Sequence, residues 1–183
     1  MNKQNRGDIL QILIIRHGES EDDFLEENYE GTTDLPLTIK GVAQVEKMCR
    51  RVSEEFPPEF IWSSTLLRAS KTAETLSITI KCPVTFLDDL REMQDRENHL
   101  DFRLRAQNVL SYIRENSANY KRIAIISHGG MITKIIESFL QLPPAINDVW
   151  FNSHNTGIHL LEYTDHPYKL IRFLNSTTHL EYS

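Results

Sequence analysis

The sequence Ile9-Leu10-Gln11-Ile12-Leu13-Ile14-Ile15-Arg16-His17-Gly18-Glu19-Ser20 joins an apolar run to a cluster of polar side chains. Residues 9–15 are rich in β-branched side chains, which is typical of a strand buried on both faces of a parallel sheet. The run is too short to span a membrane, and it lacks the small-residue cleavage site of a signal peptide. The stretch therefore predicts a buried strand that ends at Arg16 and His17.

A second histidine follows a strand of the same kind. Ile123–Ile126 is a short apolar run that continues into Ser127-His128-Gly129-Gly130. Ligands of open α/β sheets bind beyond the carboxyl ends of the strands, so we expect both His17 and His128 at a binding site. A glycine follows each histidine, and we expect it to let the backbone turn sharply and approach a ligand closely.

An arginine follows a third predicted strand, Phe60–Trp62. The next predicted helix, at about Leu66–Ser77, has Arg68 in its first turn, beside the positive end of the helix dipole. Arginine is always charged and binds phosphate oxygens in a bidentate manner. Together with Arg16 and the two histidines, Arg68 predicts a pocket for an anion at one edge of the sheet.

The rest of the chain alternates between strand and helix patterns. Further helices are predicted over about Thr38–Val52, Leu100–Glu115 and Gly130–Leu140, and further strands over Val84–Leu87, Ile158–Tyr163 and Lys169–Leu174. This alternation predicts an α/β fold, a three-layer α/β/α sandwich with a mainly parallel sheet. We expect one domain over residues 1–183, with residues 1–8 as a flexible N-terminal tail.

The charge distribution argues against several classes of partner. The net charge is −6 and the sequence has no dense basic run, so we expect no binding to nucleic acid or to anionic membranes.

The two cysteines, Cys49 and Cys82, form no CxxC pair, which favours a reducing cytoplasm. The acidic stretch Glu19–Glu30 is interpreted either as a solvated loop or as a gate that disfavours highly anionic substrates.

Six blocks of the chain resemble, in the same order, those of the histidine phosphatase superfamily, the phosphoglycerate mutase-like proteins. The blocks are Leu13–Ser20, Asp34–Gln44, Ser63–Ala73, Leu90–Glu92, Ile125–Gly130 and Asn175–Leu180. The resemblance spans about residues 10–180, and the phosphoglycerate mutase-like fold that it implies agrees with the predicted alternation of strands and helices.

The resemblance implies roles for five side chains. His17 is expected to be the nucleophile that forms phosphohistidine. Arg16, Arg68 and His128 are expected to hold the three non-bridging phosphate oxygens and to offset their charge in the transition state. Glu92 is expected to protonate the leaving oxygen and then to deprotonate the attacking water.

Ser20 and Gly129 are expected to add phosphate or substrate contacts. No metal and no cofactor is expected, because the arginines supply the positive charge and the histidine spacing has no HExxH pattern. Asp23 departs from the family, which commonly has asparagine there. A carboxylate would repel phosphate, and the alternative is that Asp23 turns outward. The short loop Met93–His99 is interpreted either as a substrate-binding loop or as a solvated one.

These features predict a phosphatase that hydrolyses phosphate monoesters through a phosphohistidine intermediate. Its substrate would be a phosphorylated small molecule or a phosphoprotein. One alternative is a phosphoglycerate mutase-type isomerase, and another is a non-catalytic binder of phosphorylated partners. The expected enzyme is cytoplasmic and independent of metals, and a homo-oligomer stays an open alternative to a monomer.

Overall fold

Strands and helices alternate in the computed structural model, which describes residues 9–25, 34–144 and 149–181. Within these residues the strands are β1 (Leu10–Arg16), β2 (Phe60–Ser64), β3 (Val84–Leu87), β4 (Arg122–Ser127), β5 (Ile158–Tyr163) and β6 (Lys169–Ser176). The helices are α1 (Ile39–Glu55), α2 (Leu67–Ile80), α3 (His99–Asn116), α4 (Gly129–Leu140) and α5 (Thr178–Glu181). Short 3₁₀ helices cover Glu21–Phe24 and Asp88–Leu90. Every predicted element is present, with bounds that differ by a few residues.

The strands form one sheet in the order β3-β2-β4-β1-β5-β6. Neighbours among β3, β2, β4 and β1 are parallel, whereas β5 is antiparallel to β1 and β6 is antiparallel to β5. The two apolar runs that precede the histidines are paired in the middle of the sheet, with Ile14 opposite Ile125. Because β1 and β4 are parallel and in register, Arg16 lies opposite Ser127 and the two histidines leave the sheet side by side.

Two helical layers cover the sheet, as the sandwich prediction requires. Leu13 and Ile15 of β1 point into a core built with α1 and α2, and the alternate residues Ile12 and Ile14 point into a core built with α3 and α4. This follows from the two-residue period of a strand that is apolar on both faces. The prediction of a three-layer α/β fold is confirmed.

Helix starts are set by side-chain caps. Thr38 Oγ1 accepts a hydrogen bond from the Gly41 backbone N–H at 2.9 Å, and the side-chain oxygen of Asn98 accepts one from Asp101 at 2.9 Å. The Asn98 cap begins α3 at His99, one residue before the predicted start. No helix among the described residues is long and apolar enough to cross a bilayer. The predicted tail, residues 1–8, and residues 26–30 of the acidic stretch lie outside the described residues.

Candidate active site

His17 is buried directly after β1, with 3 % of its surface exposed. Its Nδ1 lies 2.7 Å from the Gly18 carbonyl oxygen, which can only accept, so Nδ1 carries the proton. Nε2 then keeps its lone pair, and it accepts a hydrogen bond from Arg68 Nε at 3.3 Å. Burial, and next the positive charge of Arg16, lower the pKa of His17 to about 3. The imidazole is therefore neutral at physiological pH, with one ring nitrogen ready to act as a nucleophile.

The backbone around His17 is fixed by several elements. The His17 N–H donates to Ser127 O at 3.1 Å, and Thr156 N–H donates to His17 O at 3.1 Å. Gly18 N–H donates to Thr72 Oγ1 at 3.2 Å. A Cβ on Gly18 would lie 2.7 Å from the Gly41 carbonyl oxygen of α1, and Gly18 has no positive φ. The glycine thus serves close packing against α1, which differs from the expected sharp turn toward a ligand.

His128 is the residue that precedes α4, and it lies beside His17. The ring centroids are 5.1 Å apart, and His128 has 1 % of its surface exposed. Its Nε2 lies 2.8 Å from Ser64 Oγ at the end of β2, whereas its buried Nδ1 has no hydrogen-bond partner among the described residues. Burial, and next the proximity of His17, hold the pKa of His128 well below its usual value. The structure brings the two predicted histidines together as uncharged rings.

The two predicted arginines flank His17. Arg68 is the second residue of α2 and is buried. Arg16 ends β1, where its Nη1 donates to Ser153 O at 3.0 Å and its buried Nε has no hydrogen-bond partner in the described part of the chain. A buried, unsatisfied guanidinium N–H next to a neutral histidine is what an oxyanion site requires.

Each arginine also contacts a carboxylate of the turn that follows His17. Asp23 Oδ1 lies 2.6 Å from Arg16 Nη2, and Asp22 Oδ2 lies 3.2 Å from Arg68 Nη1. Burial raises the pKa of Asp22. Burial acts in the same direction on Asp23, but hydrogen bonding from Ser20 and the charge of Arg16 outweigh it and lower the pKa. The expectation that Asp23 turns outward is wrong, because its carboxylate is drawn to Arg16.

The predicted acid, Glu92, lies at the N-terminus of α4. Its Oε2 accepts from the Gly130 backbone N–H at 2.8 Å, and its Oε1 accepts from Met93 N–H at 3.0 Å. A Cβ on residue 130 would lie 2.3 Å from Glu92 Oε1, so only glycine allows this approach. Gly130, like Gly18, therefore serves a close contact within the protein.

Arg105 of α3 holds the segment that carries Glu92. It donates to the carbonyl oxygens of Asp89, Arg91 and Glu92 at 2.8, 2.9 and 3.2 Å. It also forms an ion pair with Glu97, with an N–O distance of 2.6 Å. Arg105 could not be identified from the sequence, because an arginine on an amphipathic helix has no local signal that distinguishes it from a solvated side chain.

The remaining predicted contacts are placed as follows. Ser20 is fully buried, and its backbone N–H donates to Asp23 Oδ2 at 3.0 Å. Gly129 is the first residue of α4, next to His128. Arg96 and His99 are exposed and have no hydrogen bond to the site residues in the described part of the chain, which agrees with a solvated loop. In the same part, no three His, Cys, Asp or Glu side chains form a group that could hold a metal ion.

The site thus combines a neutral histidine nitrogen, two guanidinium groups that each contact an aspartate, a second neutral histidine and the carboxyl group of Glu92 at the carboxyl ends of β1, β2 and β4. These features define an α/β protein with a histidine–arginine site for a tetrahedral oxyanion. The family model for the histidine phosphatase superfamily, branch 1, matches residues 12–95 and 93–176. The chain belongs to that superfamily.

Curated relatives match only part of the chain. The probable phosphoglycerate mutase GpmB of Salmonella paratyphi C is 35 % identical over 85 residues, which make up 46 % of this chain and 39 % of that protein. The Escherichia coli protein of the same name matches to the same extent. The match thus spans well under half the length of these relatives.

Solved structures share the fold over nearly the whole chain. A phosphoserine phosphatase variant from Entamoeba histolytica, in complex with phosphoserine, has a TM-score of 0.78 at 22 % identity and covers 93 % of this chain and 99 % of its own. Mycobacterial glucosyl-3-phosphoglycerate phosphatase, in complex with VO3, has a TM-score of 0.75 at 18 % identity and covers 91 % and 99 %. At these identities the comparisons establish the fold.

Proposed function

We propose that this protein is a phosphatase that hydrolyses phosphate monoesters through a phosphohistidine at His17. The observation that carries the proposal is the state of the His17 ring, which is buried and neutral, with its proton fixed on Nδ1 by Gly18 O and the Nε2 lone pair facing Arg68. A ring with its proton on Nε2, or a charged ring, would have no lone pair at Nε2 for the attack on phosphorus.

The proposed first step forms the bond between His17 Nε2 and phosphorus and breaks the bond between phosphorus and the leaving oxygen. Arg16, Arg68 and the neutral His128 ring hold the non-bridging oxygens, and the two arginines offset their charge. Arg68 Nε exchanges its contact with Nε2 for a phosphate oxygen. Glu92, in its acid form, gives its proton to the leaving oxygen. The Gly18 carbonyl stabilises the positive charge that the attack leaves on the ring.

The second step returns the enzyme to its starting state. The Glu92 carboxylate takes a proton from water as the water oxygen attacks phosphorus, and the bond to Nε2 breaks with its electron pair returning to nitrogen. Two guanidinium groups supply the positive charge that a metal ion would otherwise supply, which supports a metal-independent reaction. The unpaired cysteines, Cys49 and Cys82, support a reducing compartment such as the cytoplasm.

A phosphoglycerate mutase activity is the second candidate, because the curated relatives have that name. A mutase must keep its phosphohistidine away from water, which requires a closable cover. The loop after Glu92, residues 93–98, is short and mostly exposed, and it leads straight into α3. This arrangement supports hydrolysis over transfer back to a sugar acid.

The test is hydrolysis of a chromogenic aryl phosphate by the purified protein, with and without chelator. We expect activity that chelator leaves unchanged and that vanadate inhibits competitively. His17→Ala, checked for folding by circular dichroism, is the matched control and should be inactive. Equal activity in the folded His17→Ala variant, or activity lost in chelator and restored by a metal ion, would contradict the proposal.

A further inference from the structure

Two neighbouring carboxylates face the two arginines that are expected to hold phosphate. Asp23 contacts Arg16 and Asp22 contacts Arg68, at 2.6 and 3.2 Å. Their side chains are largely shielded, with 22 % of Asp23 and 10 % of Asp22 exposed. The Arg68–Asp22 pair is therefore largely desolvated, whereas the Arg16–Asp23 pair is more exposed. Charge interactions are stronger at such shielded positions than at a fully exposed surface.

The carboxylates are held in place by donors other than the arginines. Leu35 N–H donates to Asp22 Oδ2 at 2.9 Å. Asp23 Oδ2 accepts from Ser20 N–H and from Asn155 Nδ2, both at 3.0 Å. None of these donors belongs to a guanidinium group, so we expect the contacts to persist when a phosphate takes up the guanidinium N–H groups and a bound substrate to lie in the field of both carboxylates.

Within the described residues, the two arginines and the two aspartates that contact them carry equal and opposite charge. Arg16 and Arg68 are positive, Asp22 and Asp23 are negative, and the rings of His17 and His128 are neutral. Glu92, which is expected to protonate the leaving oxygen, adds a further carboxyl group at the N-terminus of α4. The phosphoryl group itself is attracted by the two guanidinium groups, but these two ion pairs have no net positive charge to attract a second anionic group on the same substrate.

We propose that Asp22 and Asp23 determine specificity by charge, and that they select phosphate monoesters whose leaving group carries no further negative charge. The inference rests on the proposed phosphatase function. The two carboxylates disfavour substrates with a carboxylate or a second phosphate beside the ester, and they favour substrates with an ammonium group at that position. The reason is that a like charge next to a fixed carboxylate is repelled and an opposite charge is attracted.

The test compares two esters of similar size, phosphoethanolamine and phosphoglycolate, whose leaving groups carry an ammonium and a carboxylate. We expect the wild-type protein to have the higher kcat/KM with phosphoethanolamine. The double variant Asp22→Asn/Asp23→Asn keeps the hydrogen-bond acceptors and removes both charges. It should reduce the preference about tenfold or more, mainly by raising kcat/KM with phosphoglycolate.

Glu21→Gln is the matched control, because it removes one negative charge from the same turn at an exposed position. It should leave the preference within about twofold, since exposed charges are screened. An equal loss of kcat/KM with both esters in the double variant would mean that the carboxylates only position the arginines, and it would overturn the inference. If the double variant did not fold, each single variant should reduce the preference in part, and no change in either would count against the inference.

A binding measurement separates this inference from the proposed function. If the wild-type protein hydrolysed no ester, including the aryl phosphate, the proposed function would fail. Calorimetry with inorganic phosphate and pyrophosphate would then still apply. The double variant should gain more affinity for pyrophosphate than for phosphate, and equal gains or no gains would overturn the inference.

Discussion

Arg68 Nε lies 3.3 Å from His17 Nε2 and donates a hydrogen bond to it. The contact is informative because an arginine can only donate, so Nε2 must have an available lone pair. The same guanidinium group also contacts Asp22, so it lies between the nucleophilic nitrogen and a carboxylate. If a phosphate bound between His17 and Arg68, its phosphorus would face the Nε2 lone pair and its oxygens would face the guanidinium N–H donors.

Replacing the proposed acid should affect substrates according to their leaving group. Glu92→Gln cannot give a proton, so we expect kcat to fall about 100-fold or more with an alkyl phosphate and much less with an aryl phosphate, whose leaving oxygen needs little protonation. The measurement is the ratio of wild-type to variant kcat with both esters. The same penalty for both would remove Glu92 from the role of acid.

Two adjacent glycines give a matched pair of variants. Gly130→Ala places a methyl group 2.3 Å from the present position of Glu92 Oε1, so the carboxyl group must move. We expect a fall in kcat of at least about tenfold, because a small displacement of a catalytic group is costly. Gly129→Ala meets only Trp150, at 3.9 Å, and should keep near-wild-type kcat. Equal kcat values for the two variants would contradict this account of Glu92.

Arg105 should act as a positioning residue for Glu92. Arg105→Ala removes the hydrogen bonds to three carbonyl oxygens of the Glu92 segment, and we expect kcat with alkyl phosphates to fall on the order of 10- to 100-fold. Glu97→Gln leaves those hydrogen bonds in place and should lower kcat less than Arg105→Ala does. In a Glu92→Gln background, Arg105→Ala should add little. If Arg105→Ala lowered kcat by the same factor in the Glu92→Gln background as in the wild-type protein, Arg105 would not act through Glu92.

Folding stability should fall as the pH drops from 6.5 to about 4, because several buried histidines, His17 and His128 among them, stay neutral in the folded chain. Burial lowers the pKa of His159 to about 4, and burial, together with the nearby Arg51, lowers that of His179 to about 4. Below pH 6.5 the unfolded chain binds protons that the folded chain does not, so the stabilisation present above pH 6.5 is lost as the pH falls. For His159 alone the loss is at most about 3 kcal/mol.

Urea unfolding at a series of pH values measures this effect. The free energy of unfolding should fall from pH 7 to pH 4, and the fall should be smaller in a His159→Gln variant. His159 accepts from Asn175 N–H at 3.2 Å and lies 2.8 Å from Ser153 Oγ, both through ring nitrogens, which glutamine mimics only in part. A flat profile in the wild-type protein would show that these histidines are not buried as neutral rings.

The parts of the fold and site that could be predicted are those with a strong local pattern. Ile12–Ile15 and Ile123–Ile126 have the composition of central strands, and each leads directly into a histidine, so both the strands and the edge at which they end could be inferred. Arg68 followed from its place in the first turn of a helix. The antiparallel pairing of β6 with β5 follows from the five residues that connect them, which are too few for a parallel crossover. The antiparallel pairing of β5 with β1 has no such local signal, because the composition of an apolar strand does not show its direction.

The parts that could not be predicted depend on contacts between distant residues. Arg105 and Glu92 meet because α3 packs beside the 3₁₀ turn at Asp88–Leu90, and Ser153 reaches Arg16 across more than a hundred residues. The contact between Asp23 and Arg16 could not be inferred either, because repulsion between a carboxylate and phosphate predicts an outward side chain, whereas the attraction to Arg16 depends on how the turn after His17 folds. A close approach was predicted for Gly18 and Gly129; Gly18 makes one, although to α1 rather than to a ligand, whereas at the second histidine the close approach is made by Gly130, to Glu92, and not by Gly129.

The central claim is that His17 carries the phosphoryl group, and the most direct measurement is rapid quench with a phosphate-labelled ester. The account predicts an acid-labile label on the peptide that contains His17, formed at least as fast as turnover and lost to water within one turnover. The label should be absent in the folded His17→Ala variant. Turnover without any label on His17, or a long-lived label that phosphoglycerate discharges and water does not, would contradict the account.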